Sequence, residues 1–155
     1  MSTSLLPRNS ALEITNLLYR YNELIDSGDL AGAVGLFQHA QLKLVTSPEL
    51  QGYEACLALL QRVVILYADG TPKTKHIVTN PIIDIDEAAG TASSRSQYTV
   101  FQATDELPLQ VIAGGRYHDR FEYVEGQWRF AYRDYTLFDL RGNTSQHLNL
   151  ARVME

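Results

Sequence analysis

The chain is nearly without cysteine. Of its 155 residues only Cys56 is one, so no internal disulfide and no multi-thiolate metal site can form. Cys56 lies in the apolar run Ala55-Cys56-Leu57-Ala58-Leu59-Leu60, which reads as a buried, inert thiol. No stretch approaches the apolar length of a membrane span. There is no Gly-rich phosphate loop, no nucleophile elbow and no pair of histidines at zinc-ligand spacing, so metal and phosphate chemistry have no support. Basic residues do not cluster with aromatics, and the net charge is −5. Both argue against nucleic acid and against anionic membrane surfaces. The opening Met1-Ser2-Thr3-Ser4-Leu5-Leu6-Pro7 has neither a basic nor an apolar region of the kind a signal peptide needs. With no disulfide and no signal, the expected location is cytoplasmic. Repeats and low-complexity tracts are also missing.

What remains is ordinary globular composition, 45% hydrophobic and 20% charged, in a chain long enough for one domain with a real core. The first half has helical period. Ser10 and Glu13 make a capping box, and Leu12, Leu17, Leu18, Tyr21, Leu24 and Ile25 follow at helical spacing until Gly28. A short helix is predicted from Leu30 to about Gln38, opened by Asp29, then a short strand over 41–45. A third helix is predicted over 51–66. After Pro72 the period changes to two. Strands are predicted over 74–86, 90–102, 109–124 and 127–140, with breaks at Glu87–Gly90, Thr104–Pro108 and Glu125-Gly126 short enough for hairpins. Gly114-Gly115 marks a bend or bulge in the third of them. Helices followed by strands imply an α+β fold, with three N-terminal helices covering a curled antiparallel sheet around a pocket. The domain is placed at 1–142. The polar segment 143–155 is read as a flexible tail or a lid.

Three residues break their local patterns. Asp26 ends the first helix. It is either a solvated carboxylate or, half-buried by Tyr and Leu neighbours, a general base or the group that orients one. His76 interrupts a β-branched strand. Under period two it shares a face with Val78 and Asn80, so His76 and Asn80 could both project into a cavity; the plainer reading is a structural histidine. His39, His118 and His147 have weaker claims, His147 because it sits in the tail. Arg133 shares a face with Arg129, opposite Trp128, Phe130 and Tyr132. It is either paired with a surface carboxylate such as Asp119 or Asp134, or a clamp for an anion or a developing oxyanion. Nine tyrosines are many for this length. Tyr21, Tyr98 and Tyr117 fall where they could face the cavity, although most tyrosines pack with the hydroxyl at a core's rim.

At these positions the sequence resembles a known family. Ile14 to Asp29 followed by Leu36-Phe37, the strand Lys75-His76-Ile77-Val78-Thr79-Asn80, and Gly115 to Phe121 followed by Glu125 to Phe130 and Arg133 resemble the SnoaL-like branch of the NTF2-like superfamily. The likeness runs from about Ala11 to Phe138 and is nearest to proteins similar to scytalone dehydratase and hexachlorocyclohexane dehydrochlorinase. It implies a cone-shaped sheet closed by helices. It implies that Asp26 and His76 form a catalytic pair, with His76 abstracting a proton and Asp26 orienting it. By the same resemblance Arg133 belongs to the pocket, and Tyr21, Ala113 and Tyr117 line it. The implied activity is a cofactor-independent lyase, an isomerase or a cyclase acting on a small phenolic, ketonic or polyketide-like molecule. The implied assembly is a homo-oligomer, a trimer before a dimer. The alternative is a non-catalytic binding or structural subunit, like the β subunit of a ring-hydroxylating dioxygenase.

Overall fold

The structure, a computed structural model, describes residues 8–153. The opening segment 1–7, read above for a signal peptide, and the final residues 154 and 155 of the tail lie outside the described residues. Helix α1 is Ser10–Asp26, α2 is Leu30–Gly35 and α3 is Tyr53–Val63. The strands are β1 Gln41–Lys43, β2 Thr74–Asp86, β3 Thr91–Gln102, β4 Gln110–Val124, β5 Gln127–Asp134 and β6 Phe138–Arg141. They form one curved sheet in the order β1-β5-β4-β3-β2, with β6 also on β4. Every pairing is antiparallel except β1 with β5. No helix of the described residues is long and apolar enough to cross a membrane.

Helix α1 spans the open side of the sheet, touching β2 and β5. Its Ile14, Leu18, Tyr21 and Ile25 are buried against Phe121, Trp128 and Phe130 of the sheet. The N-terminal cap is Asn9 rather than Ser10: the Asn9 side chain accepts from the Leu12 N–H at 3.1 Å. The Ser10 hydroxyl instead accepts from Arg8 Nε at 3.0 Å, which leaves it engaged elsewhere. Gly28, at φ +84°, follows the helix end, and a Cβ there would strike the Gly70 carbonyl. Only glycine allows this approach, and the approach docks the end of α1 beside the start of β2. Asp29 caps α2 by accepting from the Gly32 N–H.

Two expectations from the alternating pattern change in the sheet, and bulges are the reason. Pairing with β3 shifts register between Thr79 and Ile82. The extra residue leaves Asn80 exposed at φ +53°, so Asn80 does not share the His76 face. Along β5, Phe121 opposes Phe130 but Arg120 opposes Tyr132. Ala131 is the extra residue, and parity reverses beyond it. Arg133 therefore joins Phe130 on the inner face, and Tyr132 turns outward, beneath the guanidinium of Arg120.

The strand predicted over 127–140 also divides. Asp134 Oδ1 accepts from both the Thr136 N–H (2.8 Å) and the Thr136 hydroxyl (2.6 Å). This local turn competes with the ladder and ends β5. The chain then re-pairs with β4 at Ala113–Gly115. Gly115 is what permits that return, because a Cβ there would overlap the Tyr98 phenol and the Leu137 carbonyl. Gly115→Ala should destabilise the fold by about 1–3 kcal/mol through overpacking and push Tyr98 aside. Thermal unfolding checks this, and unchanged stability would show that the crowding is relieved at no cost.

Candidate active site

Asp26 sits at the C-terminal end of α1, where the helix dipole disfavours a negative charge, and no basic residue occupies the last turn. Three bonds from β2 compensate. Thr74 donates its hydroxyl to Oδ1 at 2.8 Å, the His76 backbone N–H donates to Oδ2 at 2.7 Å, and His76 Nδ1 lies 2.6 Å from Oδ1. Burial pushes the Asp26 carboxyl up, but the bonds and charge interaction with His76 and the Thr74 hydroxyl outweigh it, leaving the pKa below the usual carboxylate value. An ionised carboxylate only accepts, so Nδ1 carries the proton of the short contact. Nε2 is left as the free, basic nitrogen.

The interior cavity is about 150 Å³. Tyr98, Val100, Ala113, Tyr117, Tyr135 and His147 are among its lining residues. A larger groove of about 720 Å³ lies on the outer surface between Tyr67–Asp69 and Ala103–Glu106. Neither wall contains Asp26 or His76; the interior cavity is the better candidate because His147 in its wall packs edge-to-face on the His76 ring. Asp26 itself borders a separate cavity of about 300 Å³ with Thr74, Lys75 and Gln102. Of the residues named from sequence, Tyr98, Tyr117 and Ala113 reach the interior wall. Tyr21 lies one layer behind, its hydroxyl accepting from Tyr135 at 2.9 Å. Burial, the dominant cause, raises the pKa of Tyr98 and Tyr21 to about 12 and those of Tyr117 and Tyr135 well above 10. All four phenols are neutral donors at physiological pH.

Arg133 is fully buried and is not in the cavity wall. Its Nε and one terminal nitrogen donate to the two Asp119 oxygens at 2.7 and 3.0 Å. Asp119 is the partner suggested from sequence, but both members are in the core, each 0% exposed in its side chain, rather than at the surface. Burial works against the guanidinium charge, and the Asp119 carboxylate more than reverses this, raising the Arg133 pKa. The guanidinium carbon sits 3.8 Å from the Tyr117 ring centre and 4.6 Å from that of Tyr21. Arg133 therefore holds the aromatic wall from behind. Cys56 is buried, and burial pushes its thiol up to about 11, as an inert cysteine requires. Among the described residues no three His, Cys, Asp or Glu side chains gather as metal ligands.

Sequence reasoning passed over His147. Residues 143–153 do not hang free. Ile65 N–H donates to the His147 carbonyl (2.9 Å), Asn149 N–H to the Val63 carbonyl (2.8 Å), and Gln102 Nε2 to the Gln146 carbonyl (2.9 Å). His147 is thereby placed in the cavity wall, its ring edge-to-face with His76 at 5.7 Å between centroids. His76 itself is not in that wall; His147 touches both. The signal that could have found it is the apolar return of Leu148 and Leu150 after the polar 142–146 stretch. Tyr135 was also missed.

Residues 8–134 match the SnoaL-like domain family, and the chain belongs to it. Solved structures share the fold. An Asp-to-Asn variant of Rv3472, a protein of unknown function from Mycobacterium tuberculosis, is 27% identical, with TM-score 0.63 over 80% of this chain and 69% of that one. An NTF2-like protein with a cystatin-like fold from Novosphingobium aromaticivorans is 21% identical, with TM-score 0.65 over 83% and 82% of the two chains. A protein from the same organism, provisionally assigned as a scytalone dehydratase, is 21% identical, with TM-score 0.59 over 80% of each chain. Comparison with curated proteins gives no match. The fold is thus an NTF2-like, cystatin-like cone with an unclosed six-stranded sheet.

Proposed function

We propose that this protein is a cofactor-independent enzyme that removes a proton from carbon in a small organic molecule. Elimination of the dehydratase type, isomerisation or cyclisation would complete the reaction. The observation that carries this reading is the 2.6 Å contact between His76 Nδ1 and an ionised Asp26, which leaves Nε2 as the base. Asp26 fixes the tautomer and stabilises the imidazolium once His76 takes the proton. The Tyr98 and Tyr117 phenols donate to the oxygen on which negative charge develops. Arg133 keeps Tyr117 in place, and the substrate meets His76 past the ring of His147. The expected substrate is phenolic, ketonic or polyketide-like. Self-association, as a trimer before a dimer, belongs to the same reading and is supported by exposed Ile77, Val111 and Leu140 on the outer face of the sheet.

Exchange of the α-hydrogens of cyclohexanone in deuterium oxide, followed by proton NMR, tests this without knowing the natural substrate. The protein should accelerate exchange. His76→Ala and Asp26→Asn should each lower the enzymatic rate by about 10²–10⁴-fold with unchanged circular dichroism. A non-catalytic subunit would show no acceleration, and variants as active as the parent would refute the base assignment.

A further inference from the structure

We propose that His147 is a substrate-anchoring residue of this site. Its uncharged imidazole takes the hydroxyl or carbonyl oxygen of a small neutral ring seated in the cavity. The inference rests on the reading of Asp26 and His76 given above and adds the substrate class. His147 is 6% exposed and stands in the cavity wall. Its Nδ1 is enclosed and faces no open space, whereas its Nε2 is not enclosed and makes no hydrogen bond among the described residues, so Nε2 is the nitrogen that a ligand group in the cavity can reach. The main chain that carries the ring is held: the His147 backbone N–H donates to the Thr144 carbonyl at 3.0 Å and its carbonyl accepts from Ile65. Neutral imidazole both donates and accepts, which suits a hydroxyl or a carbonyl alike. Burial first, and then the neighbouring His76, hold its pKa at about 3, so it does not serve as the base.

The cavity selects the rest of the ligand. About 150 Å³ holds one six-membered ring, the size of an apolar cavity known to take benzene. Tyr98, Tyr117 and Tyr135 supply aromatic faces. The cation in the wall, Arg116, is engaged by both oxygens of Asp139 at 2.8 and 3.0 Å. A carboxylate or phosphate would have to displace that pair, whereas a neutral ring would not.

Titration calorimetry with phenol and with toluene tests the proposal, using the whole chain and the variants His147→Leu and His147→Gln. Phenol should bind the parent more tightly than toluene. In His147→Leu the phenol affinity should fall about three- to tenfold, the value of one lost hydrogen bond, with toluene unchanged. His147→Gln should recover part of the loss, and it supplies the result if the leucine variant does not fold. Equal losses for phenol and toluene would reduce His147 to packing and overturn the proposal, as would unchanged phenol binding or no binding of either ring to the parent. The two readings separate cleanly. Phenol binding that depends on His147 without any cyclohexanone exchange removes the catalytic assignment and keeps the anchor. Exchange that depends on His76, with phenol indifferent to His147, does the reverse.

Discussion

Asp119→Ala is expected to destabilise the fold by about 3–5 kcal/mol, because it strands a charge in the core. Arg133 is 0% exposed, and its one nitrogen outside the Asp119 pair, Nη1, already lacks a partner. Both side chains of the pair are sealed from bulk solvent, so the charge left behind stays desolvated. In a domain of this size the loss corresponds to a fall in Tm on the order of 6–20 °C. The double variant Asp119→Leu with Arg133→Met should recover most of the stability, since a buried ion pair of this kind is often matched by well-packed apolar side chains. Urea unfolding of the three proteins checks both halves. A single variant within about 1 kcal/mol of the parent would show that the pair does not hold the core. The same experiment bears on function. The guanidinium packs on the rings of Tyr117 and Tyr21, so releasing it should loosen the aromatic wall of the cavity before the sheet unfolds.

Acid should release the C-terminal segment, and His147 is the reason. Its folded pKa of about 3 lies below its ordinary value of 6.5. The released chain therefore takes up a proton that the packed chain does not. Stability is complete above about pH 6.5 and falls as pH drops below it, by about 1.4 kcal/mol per unit until about pH 3. At pH 4.5 that amounts to about 2–3 kcal/mol. Asp26 acts in the same direction at lower pH. Its depressed pKa contributes stability above the usual carboxylate range, and that stability is lost only as pH falls through its folded value. The groups facing His147 are His76 and Asp26 on one side and Tyr98, Tyr117, Tyr135 and Arg116 around the cavity. The three tyrosines stay neutral in this range. The protection factors of the Ile65 and Asn149 amides, which bond across the segment, should fall between pH 6.5 and 4.5 once each rate is divided into the unfolded-peptide rate at the same pH. In His147→Gln they should not. An equal fall in both proteins would place the acid sensitivity elsewhere.

Much of the site was legible as broken pattern. Asp26 stands at the wrong end of a helix dipole, and His76 stands in a strand otherwise built from β-branched residues. Both are local conflicts that tertiary bonds resolve, and those are visible one residue at a time. The strand pattern also brought Tyr98 and Tyr117 to segments that could face the cavity, whereas Asp119, expected from sequence at the surface, lies in the core. What parity could not see was its own reversal. One extra residue at Ala131 turned Arg133 inward and Tyr132 outward, and one near Asn80 removed Asn80 from the His76 face. Nothing in the composition of Phe130-Ala131-Tyr132 or Thr79-Asn80-Pro81-Ile82 fixes how the partner strand will register.

By itself the amino-acid order determined the α+β class, the three helices, the long strands and the turns between them. Those depend on side-chain spacing and on short-range backbone chemistry at Gly28, Asp29, Gly90 and Gly126. The SnoaL-like membership is carried by the same segments. Only the folded chain decided the rest: that β6 returns to β4 over Gly115, and that a segment read as tail brings His147 against His76. These are contacts between residues tens of positions apart. Their free energy comes from cavities filled and charges paired in three dimensions, which no local window of sequence contains.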